Sequence, residues 1–256
     1  MENLHTDHYD ITSYHVDFNQ RLSLVSLFYF FQESAWRHAN LRGFGWADLA
    51  KRNEFWVLAK VHVIIDRMPD WIEKIRLETW GKTPELLTAF RDFEIFAQDG
   101  CSIIRAASSW HILNMQTHRP TTLTHFAAHF PLVNRHAIAE KPQKIQPPAS
   151  TSVKSAVYTV LPSDIDMNMH VNNTRYIQWA IDSIPFEFQN QHFISEINVN
   201  FLSQARAGEH YFIETYQDGL HFTQVIVAEN ENRKLASVQS SWKKIEGYST
   251  ENKVLT

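Results

Sequence analysis

Asp166, Asn168 and His170 stand at alternate positions just ahead of an apolar-patterned segment, bringing a carboxylate, an amide and an imidazole together. In an extended or loosely turned backbone, residues two apart project the same way, so the three side chains share one side. An imidazole takes and returns a proton near neutrality, and an amide N–H donates to a carbonyl oxygen that is becoming anionic. These residue types in this spacing therefore suit chemistry at a carbonyl.

The segment that follows must hold them. Ile177, Ala180, Ile181 and Ile184 fall at i, i+3, i+4 and i+7, which predicts a helix that Pro185 stops. Asn172 or Asn173 is its N-cap, and the trio then sits beside the positive end of the helix dipole. Asp and Asn also favour turns, so capping alone accounts for Asn172 and Asn173. Capping needs one such group, and the other three keep a functional reading.

The same pattern is written earlier in the chain. Asp17 falls on Asp166, Asn19 on Asn168, Arg21 on His170, Leu22 on Val171 and Ser23 on Asn172. Ser23 caps a predicted helix running to about Ala39, with Leu24, Leu27, Phe28, Phe31 and Ala35 as its apolar stripe. Buried strands are predicted from Phe55 to Ile65 and from Phe193 to Phe201. Ile75 to Trp80 matches Phe212 to Tyr216, Ala107 to Trp110 matches Gln239 to Trp242, and Asp99-Gly100 and Asp218-Gly219 are hairpin signals. Each half reads as one long helix followed by antiparallel strands, an internal duplication. The halves are residues 1–115 and 152–256, joined by a proline-rich linker at 116–151. That linker carries His118, His125, His129 and His136. His125 and His129 have a helical metal-ligand spacing, but no recognised carboxylate partner follows, so solvated histidines are expected and no metal. Gly247 to Thr256 reads as a polar tail.

Composition narrows the class. A chain of 256 residues, 44% hydrophobic with 17 Phe, eight Trp and eight Tyr, can bury a substantial core. A net charge of −4 and no Lys/Arg run exclude nucleic acid as the main partner. The single cysteine, Cys101, rules out an internal disulfide and points to a reducing compartment. With no signal or transit pattern and no apolar run of membrane-spanning length, a cytoplasmic protein without membrane insertion is expected.

The motif Asp166-x-Asn168-x-His170-Val171-Asn172-Asn173-x-x-Tyr176-x-x-Trp179 resembles that of the acyl-acyl carrier protein thioesterases, the plant fatty acyl enzymes and their bacterial relatives. Arg21-Leu-Ser-Leu24, Gly43-Phe-Gly45, Phe55-Trp-Val-Leu58, Arg91-Asp-Phe93 and the stretch from Asn198 to Gly208 fit as well. The resemblance implies an α+β tandem hotdog, each half a long helix wrapped by an antiparallel sheet. It implies hydrolysis of the thioester joining a fatty acyl chain to carrier-protein phosphopantetheine, releasing free fatty acid and ending chain elongation, with no cofactor. Asp166, Asn168 and His170 fall on the family's catalytic positions, and Gln204 falls on the fourth. Plant members have glutamate then cysteine there, whereas this chain has Gln204 and Ala205, so a thiol nucleophile is absent and water or a carboxylate-assisted route remains. Cys101 is expected to be structural. Because Arg21 cannot act as a base, one active site per chain is expected, in the second half. The first half then lends an acyl pocket that Phe28, Tyr29, Phe30, Phe31 and Trp36 would line or underlie as core. Arg175, Arg206, Lys243 and Lys244 are candidates for docking an acidic carrier protein. An acyl-coenzyme A thioesterase and a non-catalytic acyl-binding hotdog are the alternatives, and either a monomer or a homodimer suits a tandem chain.

Overall fold

Residues 3–245 are described by the computed structural model, so the tail from Gly247 to Thr256 lies outside the described residues. The first half runs β1 (His5–Asp10), α1 (Leu24–Leu41), α2 (Trp46–Ala50), β2 (Glu54–Ile65), β3 (Lys74–Lys82), β4 (Ala89–Phe96) and β5 (Ser102–Asn114). A short α3 (Thr124–His129) lies in the linker. The second half runs β6 (Val153–Lys154), β7 (Tyr158–Thr159), α4 (Asn173–Asp182), α5 (Phe186–Gln191), β8 (His192–Phe201), β9 (His210–Asp218), β10 (His221–Ala228) and β11 (Arg233–Lys244).

The strands form one 11-stranded sheet ordered β1-β3-β4-β5-β2-β8-β11-β10-β9-β6, with β7 also on β9. The halves join where β2 and β8 pair antiparallel, from Lys60 opposite Asn200 to Ile64 opposite Glu196. On that seam His62 Nε2 lies 2.7 Å from Glu196 Oε1. The expected tandem hotdog is therefore present, its two sheets continuous.

Each long helix begins where the sequence marks it. Ser23 Oγ accepts the Ser26 N–H at 3.2 Å, and Asn172 Oδ1 accepts the Thr174 N–H at 2.9 Å. An N-cap of this kind contributes about 1 kcal/mol. The first helix buries Leu27, Phe28, Phe30 and Phe31, with Phe31 stacked on Phe93 of β4 at 4.6 Å. Tyr29 and Trp36 are 40% and 50% exposed, so these two do not line an interior as expected. They fall on the helix face turned away from the sheet.

The linker departs from its expected character. Its four histidines are exposed, but Leu123, Phe126 and Phe130 are buried against Phe44, Leu49 and Ala89. Phe130 lies so close to β3 that a Cβ on Gly81 would meet its Cε1 at 2.7 Å, which explains a glycine within a strand. Beyond it, Leu132 pairs with Gly81 and the Val133 N–H donates to Gly81 O at 2.9 Å. Alternation along β3 and β4 turns Glu78, Trp80, Lys82, Asp92 and Glu94 to the face opposite α1. There Arg135 pairs with Glu78 and Glu94, and the Ala137 N–H donates to Asp92 Oδ2 at 2.9 Å. The chain then reaches the second half, where Ile145 N–H donates to Asn200 Oδ1 at 2.8 Å. Apolar and charged groups on that face need cover, and the linker is an ordered strap that provides it. The rings of His125 and His129 lie tilted with their centroids 4.3 Å apart, and among the described residues no group of three metal-ligating side chains gathers around them.

A polar cluster sits under the C-terminal end of α1. His38 is 1% exposed and its Nδ1 lies 3.1 Å from Arg91 Nη1, so Nδ1 accepts and the imidazole is neutral. Burial, then repulsion from Arg91, His5 and Arg42, pushes the His38 pKa down from 6.5 to about 3. The unfolded chain therefore binds the extra proton first, and stability falls as pH drops below about 6.5, by up to about 1.4 kcal/mol per unit. Urea denaturation between pH 6.5 and pH 4 should show this slope, made shallower by about one proton in His38→Gln.

Candidate functional site

The loop that carries the trio is built by its own aspartate. Asp166 N–H donates to His170 O at 2.8 Å and Met169 N–H to Asp166 O at 3.0 Å. The carboxylate Oδ1 accepts the Asn168 N–H at 2.8 Å and, more weakly, the His170 N–H at 3.5 Å. Met169 takes a left-handed φ of 62°, and Ile165 bridges Val171 to close the loop. The result is a tight turn ending at the Asn172 cap of α4.

The earlier copy folds the same way. Asp17 N–H donates to Arg21 O at 2.8 Å, Asp17 Oδ1 accepts the Asn19 N–H at 2.7 Å, Gln20 has φ of 59°, and Val16 bridges Leu22. Where this copy holds Arg21, the guanidinium pairs with Asp70 at 3.4 Å. An aspartate makes the same turn in a copy that lacks the histidine, so turn-building accounts for Asp166 Oδ1. The carboxylate reaches the backbone of His170, not its ring.

Gln204 is brought to this loop from the far side. After β8 the chain turns, and Ala205 O accepts the Val171 N–H at 3.4 Å while the Ala205 N–H donates to Tyr176 Oη at 2.9 Å. His170 and Gln204 thus directly precede Val171 and Ala205, a hydrogen-bonded pair. Arg233 Nη1 donates to Gln204 O and Ser203 Oγ, both at 2.8 Å, fixing the turn from β11. Tyr176 is buried, and burial pushes its phenol up to about 12, so it stays protonated. The Gln204 side chain is exposed, His170 half-buried, and Asn168 exposed between the solvent-facing Met167 and Met169. The loop of His170 and the turn of Gln204 are joined through the Val171–Ala205 hydrogen bond, whereas the side chain of Asn168 faces solvent.

Two contacts were not anticipated from sequence. Tyr176 is legible in the sequence as a position of the family motif at the start of α4, but not as a partner of the Ala205 backbone, although a buried hydroxyl calls for one. Arg233 carried no local signal. Of the docking candidates, Arg206 is exposed beside Ala205, and Arg175 pairs with Asp164 at 3.6 Å. Lys243 and Lys244 lie opposite Phe193 and His192, whereas Ala236, opposite Phe201, marks the site end of β11. They are roughly 25 Å along the strand from the site and do not border it. Cys101 is exposed in the other half, where Asp99 raises its thiol pKa and makes it a poorer nucleophile.

The sequence matches the acyl-ACP thioesterase N-terminal domain over residues 2–127 and the acyl-ACP thioesterase C-terminal domain over residues 148–244. The chain belongs to the acyl-ACP thioesterase family. Among acyl-ACP thioesterases, it is 27% identical over 209 residues to the chloroplastic palmitoyl-acyl carrier protein thioesterase of Gossypium hirsutum, covering 77% of this chain and 51% of the relative. It is 28% identical over 211 residues to the chloroplastic oleoyl-acyl carrier protein thioesterase 2 of Arabidopsis thaliana, covering 75% and 57%. The chain thus spans little more than half the length of these relatives. An acyl-ACP thioesterase structure from Bacteroides thetaiotaomicron superposes with a TM-score of 0.86 at 27% identity, covering 94% of this chain and 98% of that one. The 12:0-ACP thioesterase from Umbellularia californica shares the fold, with a TM-score of 0.84 at 21% identity over 96% and 99% of the two chains. Among the described residues no helix is long and apolar enough to cross a membrane.

The duplicated turn makes a direct comparison possible. Asp166→Ala and Asp17→Ala each remove a side-chain acceptor from two backbone donors, so each should lower stability by about 1 kcal/mol in denaturant titration.

Proposed function

We propose that this acyl-ACP thioesterase family member hydrolyses the thioester of fatty acyl-acyl carrier protein, with His170 as general base. The observation that carries the reading is the hydrogen bond from the Val171 N–H to Ala205 O, which joins the loop of His170 to the turn of Gln204 at the start of α4. Water attacks the thioester carbon, and His170 takes a proton from it. The same imidazole returns that proton to the departing phosphopantetheine thiolate, giving free acid and thiol. The Gln204 amide orients the water by hydrogen bonding but cannot take its proton. Asn168 and the N–H groups at the N-terminal end of α4 stabilise the oxyanion, a role typically worth about 10²–10³ in turnover per donor. Asp166 sets the loop that presents His170.

One site per chain follows from Arg21 in the earlier copy, whose guanidinium cannot act as a base. The substrate partner is an acyl carrier protein, with Arg206 as a point of contact for its acidic surface. The acyl chain enters the apolar interior beneath α1. A reducing, cytoplasmic setting fits a chain whose single cysteine, Cys101, is an exposed thiol.

Matched acyl-carrier and acyl-coenzyme A substrates, assayed for free fatty acid and free thiol, test the reaction and its handle. Turnover should be higher on the carrier-bound substrate, and lipid bound without turnover would overturn the reading. His170→Ala should lose about 10²–10⁴ in kcat. Asp166→Asn, which keeps an acceptor oxygen for the turn, should cost less than about tenfold, and a loss matching that of His170→Ala would make the carboxylate the base.

A further inference from the structure

The turn that carries Gln204 exists in both copies. After β2, Asp66 N–H donates to Ile103 O at 3.0 Å, and after β8, Leu202 N–H donates to Leu235 O at 2.9 Å. Leu22 N–H donates to Pro69 O at 2.8 Å, as Val171 N–H does to Ala205 O. Asp70 N–H donates to Glu73 Oε2, and Arg206 N–H to Glu209 Oε2, both at 3.0 Å. Ile11 N–H donates to Glu73 O, and Val160 N–H to Glu209 O, both at 2.9 Å. These bonds set Met68 on Gln204, Pro69 on Ala205 and Glu73 on Glu209.

Against so close a repeat, the differences fall together. Tyr176 lies four residues into its helix beyond the Asn172 cap, and Leu27 lies four beyond the Ser23 cap. In the first copy a fully buried Leu27 stands in the tyrosine's place, and Pro69 has no N–H to offer a hydroxyl. In the second copy the N–H is present at Ala205 and Tyr176 Oη accepts it at 2.9 Å. Arg233 adds its hold on Gln204 O from β11, while the first copy takes the arginine for its glutamate from the turn itself, as Arg67 with Glu73 at 2.7 Å. The hydroxyl's hold on the turn thus occurs in the copy with His170 and Gln204, and the copy with Arg21 and Met68 has neither the hydroxyl nor the N–H to make it.

We infer that Tyr176 is a positioning residue: its hydroxyl fixes the Ala205 backbone and thereby holds the Gln204 amide in register with His170. The tyrosine acts through Gln204 and touches no reacting atom. The kinetic side of this inference rests on the thioesterase reading, while the backbone clamp stands apart from it.

Tyr176→Phe keeps the ring and removes only the hydroxyl. Hydrogen exchange of the whole protein should then show the Ala205 amide exchanging at least about tenfold faster, with β8 and β11 unchanged. Exchange at the wild-type rate overturns the clamp whether or not the protein turns over any thioester. On acyl-carrier substrate, Tyr176→Phe should lower kcat about tenfold with KM held within about twofold, since misplacement of a positioned group is felt mainly in turnover. In a Gln204→Ala background the same change should cost less than about twofold, because the hydroxyl has nothing left to position. Equal losses with and without Gln204 would show a merely structural tyrosine and overturn the inference. Activity absent from the wild type would instead fail the thioesterase reading, leaving exchange to decide the clamp.

Discussion

The backbone pairing of β2 with β8 is the constraint on which the other arrangements depend. Antiparallel hydrogen bonds from Lys60–Asn200 to Ile64–Glu196 lock the register of two separately wrapped sheets. A slip of one residue would exchange the Val61, Val63, Ile197 and Val199 face for the Lys60, His62, Glu196 and Asn198 face. Because this register holds, α1 and α4 lie on the same side of one sheet, where the ring of Phe18 meets that of Phe186 at 4.9 Å. The capped ends of both helices, and so both aspartate turns, are placed by it.

Within that frame the copies differ in chemistry far more than in shape. The aspartate turns agree bond for bond, and each ends at a capped helix. What separates them is a few side chains: Arg21 against His170, Met68 against Gln204, Leu27 against Tyr176 and Pro69 against Ala205. A scaffold that makes its aspartate turns from backbone hydrogen bonds, with one carboxylate per turn, tolerates such exchanges, since none of these side chains builds the aspartate turn itself. The cost of polar groups inside is visible elsewhere, at His38 and Arg91, where burial holds the imidazole neutral.

Local signals were legible in the sequence because local physics produces them. Ser23 and Asn172 announce their helices by capping, Asp99-Gly100 and Asp218-Gly219 announce hairpins, and the repeated Asp-x-Asn announces a turn. The trio's spacing placed Asp166, Asn168 and His170 in one loop, but not the direction each side chain takes, since an aspartate consumed by its own turn reads like a free one. Contacts between distant segments left no such mark. Phe126, Phe130 and Arg135 read as linker because their partners, Phe44, Gly81, Glu78 and Glu94, lie elsewhere in sequence. Tyr176 and Ala205 meet only once β8 has run the length of the sheet.

The strap from Leu132 to Ile145 carries a further consequence. It ties both halves covalently across the outer face, so their meeting is intramolecular and the short β2–β8 seam need not hold them at low concentration. In a two-fold homodimer every substitution appears at both equivalent positions at once. Fusion lifts that obligation, and the copies can then differ one residue at a time: Arg21 stands in one where His170 stands in the other.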